Sequence, residues 1–254
     1  MTNKPIILIT NDDGIHAKGI KCLVEAMKEF GKIVVVSADE SFSGMSHAIT
    51  VKDPLYIQDL GEKDGVSYYV TNGTPVDCVK LALHTILDTH PDFIVSGINH
   101  GSNSSTSVHY SGTMGAAREG CVNGVPSIGF SLLSYDADAD FSQSQKVVKC
   151  VFKDVLKNGL VKNTFLNVNI PDTNEVKGIK MCRQARGKWI EEFVERADPR
   201  GRNYYWLTGD FKNMEPESKD TDEYYLSNHY ATVVPCTIDA TDYASLNENK
   251  NYEL

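Results

Sequence analysis

The 254-residue sequence lacks the short motifs that announce the commonest nucleotide and hydrolase chemistries. The stretch Gly14-Ile15-His16-Ala17-Lys18-Gly19 is no GxGxxG fingerprint, and no GxxxxGK[ST] occurs anywhere. The lysine-and-magnesium cradle of a P-loop NTPase is therefore unsupported. No GxSxG nucleophile elbow is present. The six cysteines are scattered and form no CxxC, so free thiols in a reducing cytoplasm are the expected state. No run approaches the roughly 20 apolar residues that span a bilayer. The opening Met-Thr-Asn-Lys-Pro enters a strand pattern without an apolar targeting segment, so a cytoplasmic chain with no membrane partner is expected. Basic residues are in the minority, 25 against 34 acidic, for a formal charge of -9. That balance argues against a nonspecific grip on long nucleic acid. A small phosphorylated substrate stays open, because a bound metal ion reverses the local field.

What is present is an α/β pattern. Hydrophobic residues make up 41% and charged residues 23%, the composition of an ordinary globular chain. The length suits one large α/β domain with an elaboration. Ile6-Ile7-Leu8-Ile9-Thr10 reads as a buried strand, and Ile20, Leu23, Val24 and Met27 mark one face of the helix after it. Ile33-Val34-Val35-Val36 is the next strand, so the order βαβ predicts a parallel pair. Extended segments are expected at 48–57 and 66–70, with a turn at 61–65. Pro75 opens a helix that Thr74 caps, with Val76, Val79, Leu83 and Ile86 on one side. Phe93-Ile94-Val95 is a strand that empties into a polar run. A small-residue helix starts near Ser111-Gly112-Thr113. Further strands fall at Val125 to Phe130 and Phe165 to Ile170, with a helix marked by Val147, Val151 and Val155 between them.

The texture changes after about residue 178. Trp189, Tyr204-Tyr205-Trp206 and Tyr224-Tyr225 stand among charged and turn-forming residues. This predicts a catalytic core over 1–178 and a C-terminal extension over 179–254 with antiparallel arms that pack on the core or on a second subunit. A mobile loop is expected at 215–222 and a short closing helix at 237–246.

Three polar clusters follow three predicted strands. Asp12 and Asp13 follow the first, Ser43 and Gly44 the second, and Asn99, His100 and Asn103 a later one. Strand ends on one edge of a parallel sheet share a crevice, so these residues can meet despite their separation in sequence. Adjacent carboxylates are costly to hold together without a cation, and Asp12, Asp13, Ser43 and Asn99 offer only oxygen ligands. That donor set suits Mg²⁺, Mn²⁺ or Ca²⁺ better than a structural zinc. The other reading of Asn11-Asp12-Asp13-Gly14 is a capped turn. Over 101–113, hydroxyls and the free N–H groups of a helix start suit a phosphate, although Ser111 also reads as an ordinary cap. Ser43 has no assigned base and is preferred as a metal ligand. His16, His100 and His109 can approach the same edge, and His84 reads as structural.

These residues carry a specific similarity. The chain resembles the SurE family, the stationary-phase survival proteins that act as 5'/3'-nucleotidases. The signature parts are Ile7 to Gly14, Ser43-Gly44, Gly73-Thr74-Pro75-Val76-Asp77-Cys78-Val79, Val95 to Asn103, and Tyr110 to Gly120. Asn167-Val168-Asn169-Ile170-Pro171 and the Tyr204-Tyr205-Trp206 region continue it more weakly. The resemblance implies a metal-dependent hydrolase that releases phosphate from nucleoside monophosphates by attack of water. It places one divalent ion on Asp12, Asp13, Ser43 and Asn99, with Asp12, Asp13 and Asn99 catalytic. It puts phosphate near Asn103, Ser111, Gly112 and Thr113. It implies a Rossmann-like, mostly parallel core with a C-terminal β-hairpin exchanged in a homodimer, and dimers that pair into a tetramer. Ser105 departs from the family's usual glycine, His109 from an aliphatic residue and Met114 from a common valine. The rival functions are a phosphatase for short polyphosphate or other small phosphomonoesters, a metal-stabilised nucleotide-binding protein without turnover, and a metal-using glycosyltransferase.

Overall fold

Strand β1 (Ile6–Thr10) sends Ile7 and Ile9 into one hydrophobic cluster and Leu8 into another. Alternate residues of a strand point to opposite faces, so both faces of the sheet must be covered. The computed structural model, which describes residues 4–246, shows that cover. Helices α1 (Lys18–Met27) and α4 (Ser142–Asn158) pack together on one face. Helices α2 (Pro75–Leu81) and α3 (Gly112–Val122) pack together on the other. The apolar stripe expected on α1 is buried: Ile20, Leu23, Val24 and Met27 all face the sheet. Each such side chain contributes about 1.5–3 kcal/mol relative to exposure. Gly19 lets α1 approach closely, since a Cβ there would stand 1.9 Å from the Ile98 carbonyl oxygen.

Among the described residues the main sheet has nine strands. β1 lies between β2 (Lys32–Ala38) and β5 (Phe93–His100), parallel to both. Beyond β2 come β4 (Val66–Thr71), parallel to it, and β3 (Ile57–Lys63), antiparallel at the edge. Beyond β5 come β6 (Ser127–Leu132) and β7 (Thr164–Ile170), both parallel. The chain therefore builds outward from β1 in one direction and then returns to build in the other. The reversal falls between β1 and β5, which is where open α/β sheets leave a crevice at their carboxyl ends. The Rossmann-like, mostly parallel core expected from the sequence is present.

Several boundaries differ from expectation. The strand expected over 48–57 begins only at Ile57 and runs through Gly61 with a bulge, while 48–56 stays irregular. Asp77 holds that irregular stretch, accepting from the Thr50 N–H and hydroxyl while completing the Thr74 capping box of α2. The turn shrinks to Asp64 and Gly65, both at positive φ, the Asp-Gly signature of a tight hairpin. β5 does not stop at Val95. It continues to His100 with a register break against β6 between Ser96 and Asn99. The helix after Thr74 widens into a π-type turn over Ala82–Ile86.

Two strands beyond residue 178 complete the sheet. β13 (Ala231–Thr237) pairs antiparallel with β7, and β8 (Ile179–Met181) pairs parallel with β13. The rest of this stretch is the expected hairpin. β9 (Gly187–Ile190) and β10 (Phe193–Ala197) run out, and β11 (Asn203–Leu207) and β12 (Asp210–Asn213) return. The stretch expected to be a mobile loop is laced by ion pairs. Glu215 takes Arg183 at 2.6 Å and Arg186 at 3.3 Å. A short helix α5 (Asp222–Ser227) follows, capped by Thr221. The expected closing helix is reduced to α6 (Tyr243–Leu246). No described helix is long and apolar enough to cross a membrane.

Candidate functional site at the carboxyl edge of the sheet

The polar run after β1 is shaped by Asn11, which is fully buried. Its amide donates to the Gly14 carbonyl at 2.9 Å, and its oxygen accepts from the Ser37 hydroxyl at 2.6 Å. Gly14, at φ +89, turns the chain beside the backbone of Glu40. Asp12 is only 3% exposed and points at the start of α3, where its Oδ1 accepts from the Thr113 hydroxyl at 2.5 Å. Gly112 makes that approach possible: a Cβ there would lie 2.9 Å from the Asp12 Cβ. Asp13 is less buried, and its Oδ2 accepts the His100 N–H at 3.2 Å, which joins the ends of β1 and β5.

The electrostatics of the pair are those of an uncompensated anion site. Burial, and then the neighbouring Asp13 charge, push the Asp12 carboxyl up to about 6. Burial also raises Asp13. No ion pair among the described residues reaches either group. Asn99 donates its Nδ2 to the Gly101 carbonyl at 2.9 Å, which leaves its oxygen as the end free to ligate. The loop carrying Ser43 returns to this place, because the Phe42 N–H donates to the Asp12 carbonyl at 2.8 Å. Ser43 itself is exposed and pairs with Ser41 at 3.1 Å. No three of His, Cys, Asp and Glu gather as a metal site among the described residues. Two carboxylates with two neutral oxygens still make a hard-cation donor set, and the repulsion between the acids is what a divalent ion would relieve. The residues present fit such an ion.

The phosphate candidates are arranged differently from expectation. Ser111 is the N-cap of α3 and accepts from the Met114 N–H at 3.1 Å, so its hydroxyl proton remains to be donated. Thr113 gives its only hydroxyl proton to Asp12, and that makes it a support for the carboxylate. Gly112 sits between them against Asp12. Asn103 is buried in a ladder that the sequence did not reveal. It donates its amide to the Ser131 hydroxyl at 2.8 Å, its N–H goes to Asn169, and its carbonyl accepts from Asn167. The alternation Asn167-Val168-Asn169 at a strand end was the available signal, since period two puts both amides on one face.

Ser105 explains its own departure. Its φ is +49, a region where glycine costs nothing, but the hydroxyl donates to the Ala185 carbonyl at 2.9 Å and the N–H to Asp222 at 2.8 Å. These bonds fasten the 101–109 loop to the root of the hairpin and to α5. Of the histidines, His16 and His109 are exposed, and His100 lies edge-on to Phe141 at 5.1 Å. His47 instead pairs with Glu119 at 2.9 Å, and Lys80 joins at 2.7 Å, so the Glu119 carboxyl falls to about 2.

An open, mostly parallel sheet with two adjacent acids, one of them buried, where its strand order reverses defines a Rossmann-like α/β protein with an acidic site on its carboxyl edge. Residues 7–191 match the family model described as Survival protein SurE, and the chain belongs to the SurE family. A protein of Christiangramia forsetii named 5'-nucleotidase SurE is 52% identical over 255 residues, covering 99% of this chain and 98% of its own length. One of Phocaeicola vulgatus with the same name is 48% identical, covering 99% and 98%. The crystal structure of the SurE protein from Aquifex aeolicus superposes with a TM-score of 0.84 at 36% identity, over 97% of this chain and 98% of that one.

Proposed function

We propose that this chain is a metal-dependent 5'/3'-nucleotidase that hydrolyses nucleoside monophosphates to nucleoside and phosphate. The observation that carries this reading is the Asp12–Asp13 pair, held without a protein cation in the switch-point crevice and against the start of α3. The names of the relatives support the substrate class. Asp12, Asp13, Ser43 and Asn99 would hold one Mg²⁺ or Mn²⁺, with Ca²⁺ as another occupant. Bound there, the ion would polarise a phosphoryl oxygen and make a water more acidic. Asp12 and Asp13 supply the negative field that holds it, and Thr113 keeps Asp12 in its rotamer. The Ser111 hydroxyl is free to donate to a phosphoryl oxygen, and the second amide hydrogen of Asn103 is uncommitted.

A phosphate-release panel tests this. Chelated protein should release nothing. Added Mg²⁺ or Mn²⁺ should restore release, fastest from nucleoside 5'- or 3'-monophosphates. Faster release from short polyphosphate or sugar phosphates would replace the substrate assignment. Nucleotide binding without release from any substrate would make this a binding protein.

We also propose that the hairpin formed by β9 to β12 joins two copies of this chain, with arms exchanged, and that dimers pair further. In the isolated chain Trp206 is 65% and Leu207 72% exposed, beside Phe193 and Tyr205. Apolar side chains grouped on one arm match the aromatic-rich core of an interface. Light scattering over a concentration series should give the mass of two or four chains. A monomer at micromolar concentration would refute the exchange and leave the nucleotidase reading intact.

A further inference from the structure

Tyr135 is 79% exposed, and its ring rests against backbone. It follows β6 on the same carboxyl edge as Asp12 and Asn99, and it lies on Gly101. A Cβ at Gly101 would stand 2.5 Å from the Tyr135 Cε1 and 3.0 Å from its Cζ, so the ring lies directly on the glycine, whose φ of +101 favours that residue. Gly101 is itself locked. Its N–H donates to the Leu132 carbonyl at 2.8 Å, and its own carbonyl accepts the Asn99 amide at 2.9 Å. One residue therefore separates the ring from the proposed metal ligands.

The loop that carries Tyr135 is built. Ser134 N–H donates to Leu132 at 2.8 Å, Ala139 N–H to Asp136 at 3.1 Å, and the Lys18 ammonium to the Asp138 carbonyl at 3.0 Å. No hydrogen bond among the described residues uses the Tyr135 hydroxyl, and most of the residue is left to solvent. Asp136, Asp138 and Asp140 stand in the same loop. Their charge repels phosphate, so this rim suits the uncharged end of a substrate whose phosphate lies toward the start of α3. Planar bases stack on aromatic faces whatever their identity.

Resting on the nucleotidase reading, we infer that Tyr135 is the platform on which the base of a nucleoside monophosphate stacks, and so a residue that separates nucleotides from sugar phosphates. Steady-state kinetics of the metal-loaded full chain test it, with a nucleoside 5'-monophosphate and ribose 5-phosphate as the two substrates. Both carry the same sugar and phosphate, and only one has a base. Tyr135→Ala should raise the nucleotide KM about tenfold with kcat nearly unchanged, and raise the ribose 5-phosphate KM far less. Tyr135→Phe should restore the nucleotide KM, because the ring does the stacking. Equal rises for both substrates, an unchanged nucleotide KM, or no rescue by phenylalanine would each overturn the assignment. A nucleotide-selective rise in Tyr110→Ala alone would move the platform to the opposite rim, where Tyr110 is 58% exposed beside Ser111. Absence of release from either substrate by the unmodified chain would defeat the nucleotidase reading and the platform with it. Turnover with an unaltered nucleotide KM in the variant would defeat the platform alone.

Discussion

Asp12→Asn should cut metal-dependent phosphate release by about a hundredfold or more while leaving the chelated chain at least as stable as before. The two halves of this expectation come from one fact. Asp12 is buried beside another acid without a cation, and its carboxyl is pushed from 3.8 to about 6. In the metal-free chain that is a cost. A carboxyl whose folded pKa exceeds its unfolded one binds its proton more tightly when folded, so the contribution is fully present below about 4. It is lost as the pH rises through about 6. A shift of this size corresponds to about 3 kcal/mol at neutral pH. Asparagine keeps an oxygen for the Thr113 hydroxyl and removes the charge, so the variant escapes the cost and forfeits the site. Melting of chelated protein at pH 7.5 and pH 5 checks the first half. The unmodified chain should gain more on acidification than Asp12→Asn does. Other carboxyls titrate in both proteins, so the difference between the two isolates Asp12. Rate assays at limiting Mn²⁺ check the second half. Full activity in the folded variant, or identical pH responses, would remove Asp12 from its role.

The sequence was most legible where one physical rule acts alone. Apolar runs located β1, β2 and β7, and the cap Thr74 with Pro75 after it located α2. The polar tails of the strands pointed to the candidate site, because strand ends on one edge meet in any parallel sheet. Legibility failed where tertiary contacts overrode local pattern. Residues 48–56 have the composition of a strand, but Asp77 takes the Thr50 N–H and thereby removes it from a ladder. Asn99 and His100 look like loop residues, yet they continue β5 because β6 supplies partners beyond the register break. Arg183 captures Glu215 and Asp220 from a stretch whose composition reads as solvent-exposed loop. The reassignment of Thr113 has the same origin. A hydroxyl near a helix start serves an anion either way, and only the fold reveals that the anion is Asp12.

Gly19→Ala should be the most damaging conservative change in the α1–β5 layer, lowering unfolding free energy by about 3 kcal/mol. Local preference predicts the opposite, since alanine in a helix is favoured over glycine by about 1 kcal/mol. Contact decides the sign. The new methyl would lie 1.9 Å from the Ile98 carbonyl oxygen and 3.0 Å from its carbonyl carbon. Both are backbone atoms of β5, so no side chain can rotate out of the way, and either the helix or the strand must shift by more than an ångström. The strand is flanked on both sides, by β1 and by β6, which leaves α1 to lift and to open the packing of Leu23, Val24 and Met27. Any movement that β5 does make is passed to Asn99, the next residue, so activity in the folded fraction should fall along with stability. Urea unfolding measures the first effect, with Lys21→Ala on the exposed side of the same helix as the comparison, expected within about 0.5 kcal/mol of the unmodified chain. Phosphate release per folded molecule measures the second. A Gly19→Ala chain as stable as the unmodified one would mean that α1 does not pack on Ile98 at this distance, and the support of Asn99 by the helix would fall with it.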